Sequence, residues 1–191
     1  MNIFNRLAFC AGFLVCLSGC LRTSLTSTAV APKVFNLAAA NRNPLHLEVS
    51  LAEPTSSLGN QYVLIAIPFG RIDSDNVIVL VQRALYTKLA LRGYTPLVSQ
   101  PESNAFGANA QRLSVTIKDP QASAFDLLVT RHLSCSLDLK AQFSKQGSYR
   151  LGNGEGSFEH FGAFAFQKEM SLCFTRALDI ALDQLLNDLR M

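Results

Sequence analysis

The chain has 191 residues, with 17 Lys and Arg against 14 Asp and Glu and a formal net charge of +3 at pH 7. Charged residues make up only 16% of the sequence and form no basic run, so the concentrated basic surface needed for nucleic-acid binding is not predicted. The same sparseness argues against attachment to acidic lipids through a polybasic segment. The length fits a single domain that can bury a sizeable core.

The first twenty residues have the pattern of an export signal. Arg6 precedes an apolar stretch at residues 7–15, which is too short to span a bilayer. Small residues then lead to a cysteine in the tetrapeptide Leu17-Ser18-Gly19-Cys20. This tetrapeptide resembles the lipobox of bacterial lipoproteins at all four positions. The resemblance implies a signal peptide at residues 1–19, cleavage before Cys20, and two or three acyl chains, including palmitate, on Cys20.

An acylated Cys20 would anchor the protein to a membrane. Two or more acyl chains hold a protein stably, whereas a single myristoyl chain gives only marginal binding. Leu21, rather than Asp, follows the cysteine, and by the same resemblance this favours the outer membrane over the inner membrane, with the protein facing the periplasm. The alternative is an ordinary secretory signal that happens to end in cysteine.

The region after the signal divides into a tether and a folded domain. Residues 20–44 are mostly small, hydroxylated and proline-containing, which predicts the acylated cysteine followed by a flexible tether. The domain is expected to occupy residues 45–191. Nothing after Cys20 has the apolar length that a membrane span needs.

The first half of this domain contains three predicted strands and one helix. Residues 45–52 alternate between apolar and polar, which is typical of a half-buried strand. Residues 62–69 are an apolar run, which predicts a central strand buried on both faces. Apolar residues recur with helical spacing over residues 77–91. Residues 94–98 follow as a short strand, expected at a sheet edge because Pro96 lacks a backbone N–H.

The second half is predicted to contain strands and then one helix. Four segments are predicted to be extended, at residues 112–118, 125–129, 133–143 and 149–158. Asp119-Pro120 is expected to turn the chain, and residues 145–148 are expected to form a hairpin. Residues 166–189 have an amphipathic pattern that predicts a long C-terminal helix.

This order of elements predicts an α+β fold. Consecutive strands joined by short turns pair antiparallel, and two helices are too few to cover both faces of a wide sheet. We therefore expect a single two-layer sandwich, with a mainly antiparallel sheet and two principal helices packed on one face.

Besides Cys20, two cysteines remain in the expected mature protein. Cys135 falls at an apolar position of the alternating strand, and Cys173 borders the apolar stripe of the last helix. A disulfide is open to an exported protein, but free cysteine is among the most buried residue types, and two buried thiols are favoured. The sequence contains no Cys-x-x-Cys and only scattered histidines, so neither a metal site nor a cofactor is expected.

The segment Gly152-Asn153-Gly154-Glu155-Gly156 has the glycine content of a phosphate-binding loop. Such a loop would have to follow a strand and open a helix. The residues after Gly156 instead continue in an extended pattern, and no Lys-Ser/Thr closes the motif. The favoured interpretation is structural, because three glycines on one strand face let a helix or another backbone approach closely.

Two sets of side chains are candidates for chemistry, and neither has a supporting pattern. Glu155, Glu159 and His160 could form an acid–base cluster, but strand alternation sends the histidine to the opposite face. His132 and Asp126 could form a triad with a serine, but the sequence has no Gly-x-Ser-x-Gly elbow.

Arg71 and Asp73 form a third candidate set. They are expected in a loop at the end of a central strand, a place where ligands often bind in sheet proteins. Position is the only argument for a role, since no motif surrounds them. No catalytic residue is therefore predicted.

Three features follow one another along the domain: a helix that closes in Arg92-Gly93-Tyr94, the alternating strand at residues 135–143, and a strand that leads through Gly162-Ala163-Phe164 into the last helix. Over roughly residues 60–190, this layout resembles the YajG family of bacterial lipoproteins. The resemblance implies a small α/β module similar to those of other outer-membrane accessory lipoproteins, including ones that serve secretion pores and lipid transport. It implies no active-site residues. The extended stretch at residues 125–132 departs from a compact hairpin.

These observations predict a lipid-anchored protein of the bacterial envelope that faces the periplasm. Its role is expected to be binding, accessory or structural, and not enzymatic. Its expected partners are the membrane, through the acyl chains on Cys20, and a protein of the envelope. Two alternatives stay open: an envelope hydrolase with an unrecognised active site, and a subunit of a secretion or transport assembly.

Overall fold

The computed structural model describes residues 21–25, 43–63, 67–98, 111–127, 130–145, 147–162 and 166–191. Within these ranges the chain forms eight strands and two helices, and the predicted α+β class is confirmed. In chain order the elements are β1 (Leu21–Ser24), β2 (Asn43–Leu51), β3 (Ser57–Val63), β4 (Ile67–Asp73), α1 (Val77–Leu91), β5 (Tyr94–Val98), β6 (Gln111–Asp126), β7 (Arg131–Lys145), β8 (Ser148–Gly162) and α2 (Phe166–Asp188).

The longest strands form an antiparallel meander. β6 pairs with β7, and β7 pairs with β8, in registers that continue along most of the length of these strands. Alternate side chains of β7 enter the core, and they are Leu133, Cys135, Leu137, Leu139, Ala141 and Phe143. The alternation predicted for residues 133–143 is confirmed.

The other edge of β6 is shared by two groups of strands. The first half of β6 pairs with β2, and β2 pairs in turn with β5. The last three residues of β6 pair with β3; β3 pairs with β4, and β4 pairs with β1. A bulge between Lys118 and Gln121 separates the two halves, and Asp119 within it has a φ of 42°. A bulge bends a strand and increases its twist. Asp119-Pro120 therefore bends one continuous strand where the sequence predicted a turn.

The resulting sheet is curled into a half-barrel, which corrects the predicted two-layer sandwich. Antiparallel pairing holds for β6–β7, β7–β8 and β3–β4, whereas β1–β4, β2–β5, β2–β6 and β3–β6 pair in parallel. Parallel strands need long connections, so no local turn motif in the sequence indicates which strands become neighbours.

Both helices pack against the sheet. α1 contacts β2 and β5, and α2 contacts β7 and β8. Their buried side chains join those of the strands in one hydrophobic core. Lys88 of α1 connects the helices through ion pairs with Asp183 at 2.8 Å and Asp179 at 3.5 Å. Neither of these helices has the combination of length and apolar content that crossing a membrane requires.

Residues 21–25 are packed against the domain, which corrects the predicted tether for this part of the chain. β1 pairs in parallel with β4. Leu25 is 1% exposed, and the Thr23 hydroxyl accepts a hydrogen bond from Gln61 Nε2 at 2.8 Å. Burial of Leu25 and hydrogen bonding to the open edge of β4 stabilise the folded conformation of these residues. Residues 26–42 of the predicted tether lie outside the described residues.

Two further segments differ from the predictions. The segment at residues 62–69, expected as one central strand, is divided between two antiparallel strands, because β3 ends at Val63 and β4 begins at Ile67; residues 64–66 lie outside the described residues. Residues 125–132, expected to be extended, contain the connection between β6 and β7, in which Leu127 N donates to the carbonyl oxygen of Thr130 at 2.8 Å.

Candidate functional site

The predicted lipidation residue, Cys20, lies outside the described residues, and so do residues 1–19 of the predicted signal. The first described residue is Leu21, which begins β1. Acylation of Cys20 therefore stays a prediction. What the structure adds is the position of the residue to which Cys20 is covalently joined.

Three of the four glycines of β8, Gly152, Gly154 and Gly156, lie against α2. A Cβ atom on Gly154 would overlap the carbonyl oxygen of Ala181, and one on Gly156 would overlap that of Ala177. The strand continues to Gly162 and opens no helix at the motif. The structural interpretation of the glycine motif is confirmed, because the helix backbone occupies the space that side chains would need.

Polar side chains of α2 also cover the edge of β8. The backbone N–H of Asn153 donates to Asp188 Oδ2 at 3.0 Å, and that of Glu155 donates to Gln184 Oε1 at 3.1 Å. An uncovered strand edge is a template for pairing with another chain. These two hydrogen bonds occupy donors that an added strand would otherwise use.

The three side chains of the candidate acid–base cluster on β8 do not lie together. Glu155 and Glu159 are exposed on the outer face of the strand, whereas His160 is half-buried on the other face. The ring of His160 faces that of Phe158, with centroids 6.5 Å apart. The opposite orientation predicted from alternation is confirmed.

The triad drawn from His132 and Asp126 is also not assembled. Arg131 Nη2 donates to Asp126 Oδ2 at 2.5 Å, and His132 Nε2 instead lies 3.4 Å from Glu159 Oε2. The carboxylate nearest the histidine thus comes from a different strand and is exposed. A buried carboxylate that would orient the imidazole for catalysis is not part of this arrangement.

Arg71 and Asp73 lie within β4, which corrects their predicted placement in a loop. The Arg71 guanidinium donates to the Ser56 hydroxyl, so it ties β4 to the chain before β3. Among the residues that the structure describes, no group of three His, Cys, Asp or Glu side chains is placed to hold a metal ion.

The two cysteines of the domain are free, buried thiols, as the sequence favoured. Cys135 Sγ lies 3.6 Å from Met170 Sδ, and Cys173 Sγ lies 3.4 Å from the carbonyl oxygen of Phe158. A hydrogen bond with Cys173, then burial and the neighbouring charge, raise the pKa of the Cys135 thiol far above its ordinary range. Because the thiolate is the reactive form, Cys135 is a core residue and not a nucleophile.

The hollows lined by described residues include two that are open to solvent. One, of about 240 Å³, is lined by Tyr94, Phe143, Lys145, Ser148, Arg150, Arg190 and Met191. The other, of about 330 Å³, lies beside the β6 bulge between Glu53 and Gln121. Neither hollow is lined by the candidate catalytic side chains named in the sequence analysis. Arg150, the central cation of the first, already donates to the carbonyl oxygen of Leu189 at 3.3 Å.

The most distinctive surface feature is a row of four rings on the outer face of the sheet. We call Tyr62, Phe125, His132 and Phe161 the aromatic row; they come from β3, β6, β7 and β8 and are directly opposite one another in the strand registers. Successive ring centroids are 5.2, 6.3 and 4.7 Å apart, with interplanar angles of 11°, 21° and 30°. Offset stacking of this kind is favourable beyond the area it buries.

The aromatic row lies next to the last row of the sheet. We call this end the hairpin end, defined by the paired residues Val63, Ile67, Asp126, Arg131 and Gly162. Three large apolar side chains are exposed there: Phe161 at 67%, Ile67 at 51% and Leu127 at 37%. These side chains come from β4, from the residue after β6 and from β8, so they share one end of the sheet while lying on separate strands. Large exposed apolar surfaces mark interaction sites.

Sequence reasoning did not find the aromatic row, although it noticed His132. The pairing of Asp126 with Arg131 places Phe125 opposite His132, and a hairpin prediction at residues 127–130 would have supplied that pairing. The positions of Tyr62 and Phe161 depend on the registers of two other strand pairs. Those registers are tertiary information.

Comparisons with known proteins add no functional assignment. No protein-family model and no curated protein sequence matches the chain. The solved structures to which it is similar include one described as the crystal structure of an uncharacterized protein, at 15% sequence identity and a TM-score of 0.34. The match covers 78% of this chain and 96% of the other. Function therefore has to be argued from the chain's own residues.

Proposed function

We propose that this chain is a bacterial envelope lipoprotein, similar to the YajG family, whose α+β domain is held at a membrane by acyl chains on Cys20. The observation that carries the proposal is the tetrapeptide Leu17-Ser18-Gly19-Cys20 after a short apolar stretch. The domain faces the periplasm, and Leu21 favours the outer membrane. Its role is to bind an envelope partner or to support an assembly.

The contacts of the candidate catalytic side chains support a binding or structural role. Asp126 is engaged by Arg131, and His132 is held between the rings of Phe125 and Phe161. General acid–base catalysis needs a group within hydrogen-bond reach of a substrate proton and a partner that orients it. Here the same groups are used in contacts that hold neighbouring strands together.

The anchor is tested by replacing the acylated residue. Cys20→Ser is expected to move the protein from the membrane fraction to the soluble fraction and to abolish incorporation of labelled palmitate. Cys16→Ser is the matched control, because it removes a thiol from the same leader four positions earlier. The control should leave fractionation and labelling unchanged. Membrane retention and palmitate labelling of the Cys20→Ser protein would refute the anchor.

The partner is tested by crosslinking in the native envelope, followed by identification of attached proteins. A specific envelope protein that crosslinks to wild type, and not to the released Cys20→Ser protein, would support the binding role. Activity screening tests the alternative. If it finds a hydrolytic turnover, and a single Ser or His substitution abolishes that turnover, the result would instead support an envelope hydrolase.

A further inference from the structure

The start of β1 restricts how far the domain can stand from an anchor at Cys20. Leu21 is the first residue of β1 and is hydrogen-bonded into the sheet beside β4. Consecutive Cα atoms are about 3.8 Å apart, so Cys20 adjoins the sheet directly. If Cys20 is at a membrane surface, no length of chain separates that surface from β1.

The strand registers show which end of the sheet this is. Leu21 is opposite Gly70, Gly70 is opposite Gln61, and Gln61 is opposite Ala124. The next row toward the hairpin end is the one that contains Tyr62. Because β1 runs parallel to β4, away from the hairpin end, its N-terminal end points toward the hairpin end. The anchor residue thus joins the domain on the side of β1 that points toward the hairpin end, two strands from Tyr62 in the sheet order.

The chemistry of the hairpin end suits the boundary between lipid headgroups and acyl chains. Phe161 and Ile67 are more than half exposed. Asp126 forms an ion pair with Arg131 at this end, Glu159 Oε2 lies 3.4 Å from His132 Nε2, and the Glu169 carboxylate lies against Gly162. Trp and Tyr are enriched at membrane interfaces, and Phe and Leu occur on the lipid-facing side of interfacial helices. Apolar surfaces of membrane-bound proteins enter about 5–10 Å into this boundary.

We propose that the hairpin end docks on the bilayer surface, with Ile67, Leu127 and the Phe161 ring of the aromatic row in contact with lipid. This inference rests on the proposed acylation of Cys20, and it adds an orientation that the anchor alone does not specify. The occupant is lipid, and not a protein or a second copy, because the covalent anchor brings lipid to this end of the sheet.

The chain offers a matched control for this surface. Leu151 lies on the outer face of the same strand, β8, and is 70% exposed, close to the 67% of Phe161. The two residues are ten positions apart, which is about 33 Å along a strand. Leu151 is therefore an equally exposed apolar residue that the proposal places far from the membrane.

The experiment uses the absence of tryptophan from the sequence. Acylated full-length protein carrying Phe161→Trp, Ile67→Trp or Leu151→Trp is reconstituted into vesicles of phosphatidylethanolamine and phosphatidylglycerol, with or without brominated acyl chains. Tryptophan emission from Phe161→Trp and Ile67→Trp is expected to shift to shorter wavelength and to be quenched by bromine. Emission from Leu151→Trp is expected to do neither.

Flotation of the same samples separates this inference from the proposed function. Vesicle-bound protein in which Phe161→Trp is not quenched, or is quenched no more than Leu151→Trp, would overturn the docking and leave the anchor intact. Acylated protein that does not float would contradict the anchor, and the docking with it. A shift that follows protein concentration and not bromination would assign the surface to a second copy and overturn the proposal.

Discussion

Gly154 of β8 lies directly against the backbone of Ala181 in α2, with no room for a side chain between them. This contact sets the distance between the longest helix and the edge of the meander. It requires small residues on both elements, which is why the glycines of the strand face the alanines of the helix. A motif with the composition of a nucleotide-binding loop is thus a packing surface.

Gly154→Ala is expected to destabilise the domain by about 3 kcal/mol, because the new methyl group would meet a carbonyl oxygen and overpacking a tight contact costs about 1–3 kcal/mol. Ser157→Ala, on the exposed face of the same strand, should change the free energy of unfolding by less than about 0.5 kcal/mol. Urea unfolding measures both. Equal free energies of unfolding for the two variants would show that α2 does not pack directly against Gly154.

Leu25→Ala distinguishes a packed N-terminal strand from a free tether. Leu25 is 1% exposed, and truncation of a buried leucine to alanine costs about 2–5 kcal/mol. Arg22→Ala, at an exposed position of β1, is the control and should be nearly neutral. The free energy of unfolding of the Leu25→Ala protein would be unchanged if residues 21–25 were not part of the fold.

The Cys135 thiol should make stability fall at alkaline pH. Its pKa is raised in the folded protein above the ordinary value of 9.0, so above that pH the unfolded chain loses a proton that the folded protein keeps. Stability is then fully present below about pH 9 and decreases above it by about 1.4 kcal/mol per pH unit.

The measurement is urea unfolding with a reductant at about pH 8 and about pH 10. Cys135→Ala removes this group while other titrating side chains stay, so the variant should lose less stability between the two conditions than wild type. If the two proteins lose the same amount, the buried thiol is not the source of the pH dependence.

The aromatic row predicts an energetic coupling across the β3–β6 junction. The rings of Tyr62 and Phe125 are 5.2 Å apart and nearly parallel, and such pairs contribute about 0.5–1.5 kcal/mol beyond burial. A double-mutant cycle with Tyr62→Leu and Phe125→Leu should recover a coupling of that size. The same cycle with Tyr62→Leu and the distant Leu151→Ala should be additive within about 0.5 kcal/mol. Additivity in the first cycle would mean that the rings do not stabilise each other.

The spacing of apolar residues predicted the helices and the strand that bury one face and expose the other. The alternation of residues 133–143 and the helical spacing of residues 77–91 and 166–189 correspond to β7, α1 and α2, because burial of one face imposes a period that neighbouring residues display. The bend at Asp119-Pro120 was misread as a turn. A bulge and a turn use similar residues, and the difference lies in whether a partner strand continues beside them.

The placement of Leu21–Ser24 beside β4, of β2 and β3 on one edge of β6, and of four rings in one row could not be predicted in this way. Each depends on pairing between strands far apart in the chain, and a pairing register is selected by the packing of the whole core. The sequence by itself determined which residues are apolar, where the glycines are, and that Cys20 follows an export-like leader. Only the tertiary structure decided which end of the sheet Cys20 adjoins, because that depends on the direction in which β1 lies against β4.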